Sequence, residues 1–391
     1  MLIKPRIRSN ICVNAHPVGC AAQVVTQINY VKARDAIESP KRVLVIGASN
    51  GYGLAARIVS AFGSGASTIG VAYEQPAIRQ RTATAGWYNT TAFVDEAQKA
   101  GLGAWNVNGD AFSDDIKDEV ARLIRDHLGQ IDFLIYSIAA PRRIDPETGE
   151  IYTSVIKPID KPFTALTADF LTGKISQVTA QPASREEIDQ TIKVMGGEDW
   201  SRWIEQLQTQ NLLAQGCLTL AFSYIGSEST RPLYWDGTIG AAKKDLELKA
   251  EDINRRLAPL GGKALISVNK ALVTRASAVI PAVPLYIALL YRVMKQKKLH
   301  EGCIQQMYRL YHDFLFNPEG PVLDQAGRIR IDDWEMRDDV QREVAQLFKR
   351  VNADNITELS DIRGLREEFL RHHGFGMPGV DYDRETPSDM L

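Results

Sequence analysis

Tyr234 and Lys243 stand nine residues apart in the segment Pro232-Leu-Tyr234-Trp-Asp-Gly237-Thr-Ile-Gly-Ala-Ala-Lys243-Lys244. A phenol ionises near pH 10, so it carries a transferable proton at neutral pH, and an ammonium beside it would lower that value. Nine residues span about two and a half helical turns, so on one continuous helix the two side chains would point apart. They meet only if Tyr234 lies in a loop ahead of the helix, and Asp236-Gly237-Thr238 supplies a break and an N-cap for that arrangement. A further phenol, Tyr224, closes an apolar run in Phe222-Ser-Tyr224-Ile-Gly226. Tyr291 and Lys295 form a rival pair at the four-residue spacing that shares a helix face, with Ser277 fourteen residues upstream. The plainer reading of that pair is an apolar helix whose end turns basic.

The glycines of Lys41-Arg-Val-Leu-Val-Ile-Gly-Ala-Ser-Asn-Gly-Tyr-Gly53 point to a bound anion. An apolar run leads straight into Gly47, Ala48, Ser49, Asn50, Gly51, Tyr52 and Gly53, and a helical pattern follows. Glycine permits the tight turn and the close backbone approach, and a helix N-terminus offers unpaired N–H groups to a pyrophosphate. The next apolar run ends at Tyr73 and Glu74, and Glu74 lies 21 residues past Gly53. An acid at that distance is placed to grip a ribose 2′-hydroxyl and to repel a 2′-phosphate, so NADH is expected over NADPH. Asp110 and Ala111 follow a third run, and Ile138, Ala139 and Ala140 a fourth. At the carboxyl edge of a sheet, Asp110 would meet the adenine and the small residues would let the cofactor pass.

Positioning these groups requires strands that alternate with helices. Strands are expected at 42–46, 68–73, 104–107, 131–137, 218–224 and 264–268, mostly apolar throughout, as strands buried on both faces are. Helices are expected at 52–62, 93–100, 114–127, 185–194 and 200–215. For about eighty residues between the fourth and fifth strands the rhythm breaks. There Asp145-Pro-Glu-Thr-Gly149 and Leu171-Thr-Gly-Lys174 read as turns of hairpins in an insertion that would wall a substrate site. The fold class is therefore α/β: a Rossmann-like, doubly wound parallel sheet with helices on both faces. The insertion and a C-terminal helical extension enlarge it. One large domain of 1–391 is expected, with a cofactor half at 1–140, a substrate wall at 141–215, a catalytic half at 216–330 and the extension at 331–391.

Composition bounds the function classes. The chain has 391 residues, 45% hydrophobic and 24% charged, which excludes wholesale disorder and coiled coil. Lys plus Arg number 46 against 48 Asp plus Glu, a net −2 that gives no field for nucleic acid. The longest apolar run, 278–291, is shorter than a bilayer crossing and contains two prolines. No secretory leader is expected from Met1 to Asn10. Cys12, Cys20, Cys217 and Cys303 have no metal spacing and fit a reducing cytoplasm. The pair His372-His373 reads as a surface pair and His16 as a packed residue, so no metal is expected. Lys295-Gln-Lys-Lys298 reads as a basic helix end, and Lys297 and Lys298 would dock an acidic carrier if they had a second use.

Together, Ile3-Lys-Pro, Ala15-His-Pro-Val-Gly-Cys20, Gly47–Gly53, Tyr234-x8-Lys243 and Leu272-Val-Thr274 resemble the FabV-type trans-2-enoyl reductase family, which acts on enoyl-acyl carrier protein and enoyl-CoA. The similarity covers essentially the whole chain, and the eight-residue gap between tyrosine and lysine is its distinguishing mark. The resemblance implies Tyr234 as proton donor, Lys243 as cofactor-ribose ligand, Tyr224 as a substrate contact and Glu74 as the NADH-selecting acid. It also implies that Leu272, Val273 and Thr274 line the nicotinamide, and that the protein is a monomer in fatty-acid synthesis. The expected reaction adds hydride at C3 and a proton at C2 of a trans-2-enoyl thioester. Either Tyr224 or Tyr234 would polarise the thioester oxygen. The rival readings are a carbonyl or alcohol dehydrogenase using Tyr291 and Lys295, and a non-catalytic NADH-binding sensor.

Overall fold

The computed structural model describes residues 1–8, 11–79, 81–169, 172–274, 280 and 282–389. Its centre is a seven-stranded sheet formed by β1 (Arg42–Ile46), β2 (Ser67–Ala72), β3 (Ala104–Asn108), β4 (Ile131–Tyr136), β5 (Leu213–Ser223), β6 (Lys263–Val268) and β7 (Arg328–Arg330). The order is β7-β6-β5-β4-β1-β2-β3, and every neighbouring pair is parallel. The order therefore reverses between β1 and β4, which opens a crevice at their carboxyl ends. In β1, Val43 and Val45 enter one core while Leu44 and Ile46 enter the other. This is the period-2 consequence of a strand covered on both sides.

One face carries α1 (Pro17–Lys32), α2 (Gly51–Ser64), α3 (Ala85–Lys99), α8 (Val283–Gln296) and α9 (Cys303–Arg309). The other carries α4 (Asp114–Leu123), α6 (Glu198–Thr209) and α7 (Thr238–Leu257). Beyond β7, α10 (Asp338–Arg350), α11 (Ile356–Leu359) and α12 (Ile362–Arg371) complete the chain, with α10 and α12 packed on α8.

The insertion is hairpin-rich, as expected. Arg142–Ile144 pairs antiparallel with Ile151–Thr153, and Phe163–Ala168 with Ile175–Ala180. Asp145 makes the first turn by accepting the Glu147 and Thr148 N–H groups through Oδ1 at 2.9 and 3.2 Å. In the second turn Gly173 N–H donates to Asp169 O at 2.7 Å, while Leu171 lies outside the described residues. Helix α5 (Arg185–Met195) follows, started by a capping box of Ser184 and Glu187.

Several expectations shift, and the helix expected at 93–100 begins eight residues earlier, at Ala85. The helix expected at 200–215 stops at Thr209, because Asn211 turns into the left-handed region with φ 56° and the chain enters β5 at Leu213. β5 thus starts five residues early and carries a bulge at Gly216, φ 72°, where its register against β4 jumps. The helix expected at 114–127 ends at Leu123 and continues as one wide turn, Ile124–Leu128. β7 was not expected at all. Its three residues, Arg-Ile-Arg, bury Ile329 alone while Arg328 and Arg330 are held by Asp324 and Asp332.

Candidate active site

The glycine loop occupies the crevice. Gly47 leaves β1 at φ 89°, and a Cβ there would strike the Ser137 carbonyl just past β4. A Cβ on Gly53 would strike the Gly47 carbonyl, so this glycine lets α2 close on β1. Gly51, at φ 55°, is open, with Thr274 Cγ2 at 3.7 Å the nearest atom to a built Cβ. Asn50 begins α2 without a side-chain cap and the first turn contains no acid, so its N–H groups remain open to an anion. Asn89 Nδ2, from α3, donates to Asn50 Oδ1 at 2.8 Å, and Asn50 Nδ2 is a buried donor without a partner among the described residues. These features fit a dinucleotide with its pyrophosphate at the start of α2.

The remaining cofactor candidates converge on the same edge. Ser49 Oγ donates to Glu74 Oε1 at 2.7 Å, joining the buried Glu74 carboxylate to the loop, whereas the Tyr73 side chain is exposed. Asp110 Oδ1 accepts the Phe112 N–H at 3.0 Å and shapes the loop into α4. Ala111 O accepts Lys117 Nζ at 3.0 Å. Ile138 packs against the α4 face, and Ala139 is exposed beside it. Leu272 and Val273 are buried. Val273 N–H donates to the Tyr291 hydroxyl at 3.1 Å, and His372 Nε2 donates to Val273 O at 2.8 Å.

At the end of β5 the phenols assemble. Tyr234 lies in a turn ahead of α7, as the spacing required, and its ring meets Tyr224 edge-on at 4.7 Å and 81°. Gly237 is the N-cap of α7, clamped by the insertion: Thr238 N–H donates to Lys157 O at 3.0 Å. Lys243 thereby falls in the second turn, and its Nζ donates to Phe222 O at 3.0 Å. Phe222 also touches the Tyr52 ring at 5.9 Å, and the Tyr52 hydroxyl donates to Lys270 O at 2.7 Å. Burial lowers Lys243 to about 8. Tyr234 moves the other way, raised by burial first and then by the Glu335 carboxylate. Burial and the Glu335 carboxylate thus set a direction for the phenol opposite to the lowering expected from the ammonium. Both phenols stay protonated donors, since burial and Glu335 also raise Tyr224.

A family model described as the catalytic region of trans-2-enoyl-CoA reductase matches residues 81–316. The chain belongs to the trans-2-enoyl-CoA reductase family. Two further models match, the NAD(P)H binding domain of trans-2-enoyl-CoA reductase over 2–79 and an enoyl reductase FAD binding domain over 323–386. Among curated relatives, the enoyl-[acyl-carrier-protein] reductase [NADH] of Flavobacterium johnsoniae is 53% identical, with 99% of this chain and 98% of that protein covered. The protein of the same name from Opitutus terrae is 54% identical over the same shares. Among solved structures, Clostridium acetobutulicum trans-2-enoyl-CoA reductase in complex with NADH has a TM-score of 0.98 at 46% identity, covering 100% of this chain and 99% of that one. The Treponema denticola enzyme with NAD has a TM-score of 0.96 at 48% identity, covering 99% and 98%.

In this member of the family the rival pair is spent on structure. Tyr291 is fully buried on α8 and bonds Val273, while Lys295 Nζ pairs with Asp361 Oδ2 at 2.6 Å; Ser277 lies outside the described residues. Lys297 pairs with Asp339 and Glu343, both at 3.2 Å, so the basic helix end binds α10. The two histidines are not a surface pair, because His373 is buried and His372 reaches Val273. His16 is packed as expected, accepting the Gly19 N–H at 3.2 Å. The segment matched by the enoyl reductase FAD binding domain model turns its described buried face to packing on α8 and supplies Glu335. Sequence reasoning missed Glu335, Lys270, Asn89, Ser223 and Asn269. Ser223 Oγ and Asn269 Nδ2 are buried and unpaired among the described residues at the carboxyl ends of β5 and β6. The one signal for them was that both follow apolar runs that end at the site.

Proposed function

We propose that this chain is an NADH-dependent reductase of trans-2-enoyl thioesters, carried by acyl carrier protein or CoA, working in fatty-acid synthesis. The observation that carries the proposal is the edge-on pair of Tyr224 and Tyr234 at the end of β5, where Lys243 donates to Phe222 O and the Phe222 ring meets Tyr52 of the glycine loop. When bound, NADH supplies a hydride to C3 of the substrate. Gly47 to Gly53 would hold the pyrophosphate, Glu74 the adenosine ribose, Asp110 and Ala111 the adenine side, and Ile138, Ala139 and 272–274 the nicotinamide side. Lys243 would donate to the nicotinamide ribose. Negative charge on the thioester oxygen then meets a protonated phenol in a site shielded from water, where a fixed donor is worth most. Tyr224 contacts that oxygen and Tyr234 delivers the proton to C2.

The insertion 141–215 forms the substrate wall, since its Lys157 and Pro158 meet the start of α7. The four free, buried cysteines support a reduced cytoplasmic location. We further propose that the enzyme acts as a monomer. The test is NADH oxidation with crotonyl-CoA by wild type and Tyr234→Phe, with NADPH as control. Loss of the general acid should cost about 100-fold or more in kcat. NADH binding without turnover of any enoyl thioester would overturn the proposal.

A further inference from the structure

The proposed chemistry leaves a buried carboxylate beside the tyrosine pair unused. Glu335, in the turn between β7 and α10, is fully excluded from solvent. Its Oε2 accepts the Ala271 N–H at 2.6 Å, and its Oε1 accepts the Tyr286 hydroxyl at 2.7 Å and the Tyr224 hydroxyl at 3.3 Å. Gln341 Nε2 donates to the Tyr286 hydroxyl at 3.2 Å and to Glu335 O at 2.7 Å, closing the network. A carboxylate buried this deeply is costly unless hydrogen-bonded and paired. Burial still raises the carboxyl above the usual carboxylate range, so the three donors and the neighbouring buried Lys270 offset only part of that cost.

The three bonds are unequal. Ala271 and Tyr286 hold the carboxylate at short distances on two different elements, whereas the Tyr224 bond is near the outer limit of a hydrogen bond. The carboxylate is therefore fixed, and the Tyr224 hydroxyl is guided by it without being locked. We infer that Glu335 is a positioning residue that aims the Tyr224 hydroxyl at the thioester oxygen, so that the C-terminal segment completes the active site. This inference rests on the enoyl-reductase reading. Oε1 already accepts the Tyr286 hydroxyl, so it meets Tyr224 as an acceptor and Tyr224 presents its proton, while the edge-on contact with Tyr234 fixes the ring in the other direction. In the free enzyme the hydroxyl leans on Glu335, and a thioester oxygen arriving nearby offers it a better-aligned acceptor.

A double-mutant cycle tests this. Crotonyl-CoA kinetics and NADH binding by fluorescence are measured for wild type, Glu335→Gln, Tyr224→Phe and the double variant. Glu335→Gln should lower kcat about tenfold to hundredfold, as misplacement of a reacting group does, with the KM for crotonyl-CoA and the NADH Kd within about threefold. In the Tyr224→Phe background the same change should cost less than about threefold more. Glu335→Asp, which retracts the charge by one methylene, should show the same split and serves if the glutamine variant fails to fold. Multiplying effects in the double variant, or an unchanged kcat in both Glu335 variants, would overturn the inference. A wild type that turns over no enoyl thioester would instead overturn the functional reading beneath it.

Discussion

Lys243, proposed to hold the nicotinamide ribose, works against the fold that carries it. Burial lowers it from 10.5 to about 8, so at neutral pH the folded state holds a charge that its surroundings disfavour. The unfolded chain keeps that proton up to about 10.5, so between pH 8 and 10.5 the unfolded state binds more protons and stability rises with pH. Below pH 8 both states are charged and the full cost, on the order of 3 kcal/mol, is present. Lys243→Met should therefore melt several degrees higher than wild type at pH 7, with the gap closing by pH 10.5, while turnover is lost. A variant that melts lower at pH 7 would show that the bond to Phe222 outweighs the burial cost. The placement of Tyr234 in a turn ahead of the helix that carries Lys243 was legible from spacing, because nine residues on one helix would point the two side chains apart. Glu335 was not, since it reaches Tyr224 across 111 residues and its acidic neighbourhood looks like any solvated turn.

At the level of elements, one buried ion pair joins the loop of Asp110 and Ala111 to α6 of the insertion. Lys117 of α4 and Asp199 of α6 are 1% and 2% exposed and meet at 2.9 Å. Lys117 Nζ also donates to Ala111 O and Phe112 O at 3.0 and 2.9 Å, and the Tyr136 hydroxyl, ending β4, donates to Asp199 Oδ2 at 3.1 Å. Asp199→Ala strands an ammonium in the core and should destabilise the protein by roughly 3–5 kcal/mol in urea unfolding. NADH binding should weaken with it, because the loop of Asp110 and Ala111 loses its anchor. Adding Lys117→Met should restore most of the stability, and a double variant as unstable as the single would refute the stranded-charge account. The sequence placed both helices, since their apolar spacing is strong, but not their boundaries with β5, where Asn211 and Gly216 set left-handed backbone. β7 escaped because a strand of three residues with two arginines has no local hydrophobic signature and exists only through β6.

Across the whole molecule, the C-terminal segment acts as a strap rather than an appendage. It reaches α8 through Lys295–Asp361 and Lys297–Asp339, and the segment after β6 through His372 and Glu335. It also closes on the N-terminus, where His16 N–H donates to His373 O at 2.9 Å and Gly19 lies against the Gly374 backbone so closely that a Cβ would collide. The Met1 ammonium donates to Thr386 O at 3.0 Å, so the first and last described stretches are tied directly. The N-terminal segment, the sheet with its helices and the C-terminal segment therefore share packing that none completes alone, and cooperative unfolding follows when no part retains a closed core. The full chain, at a single-copy mass of 43.4 kDa, should melt in one transition that NADH raises. Deleting 323–391 should remove that transition and NADH binding together, because α8 loses its cover and Ala271 its acceptor. Calorimetry with and without NADH checks this, and a truncated chain that still binds NADH with wild-type affinity would show instead that the first 322 residues fold without the strap.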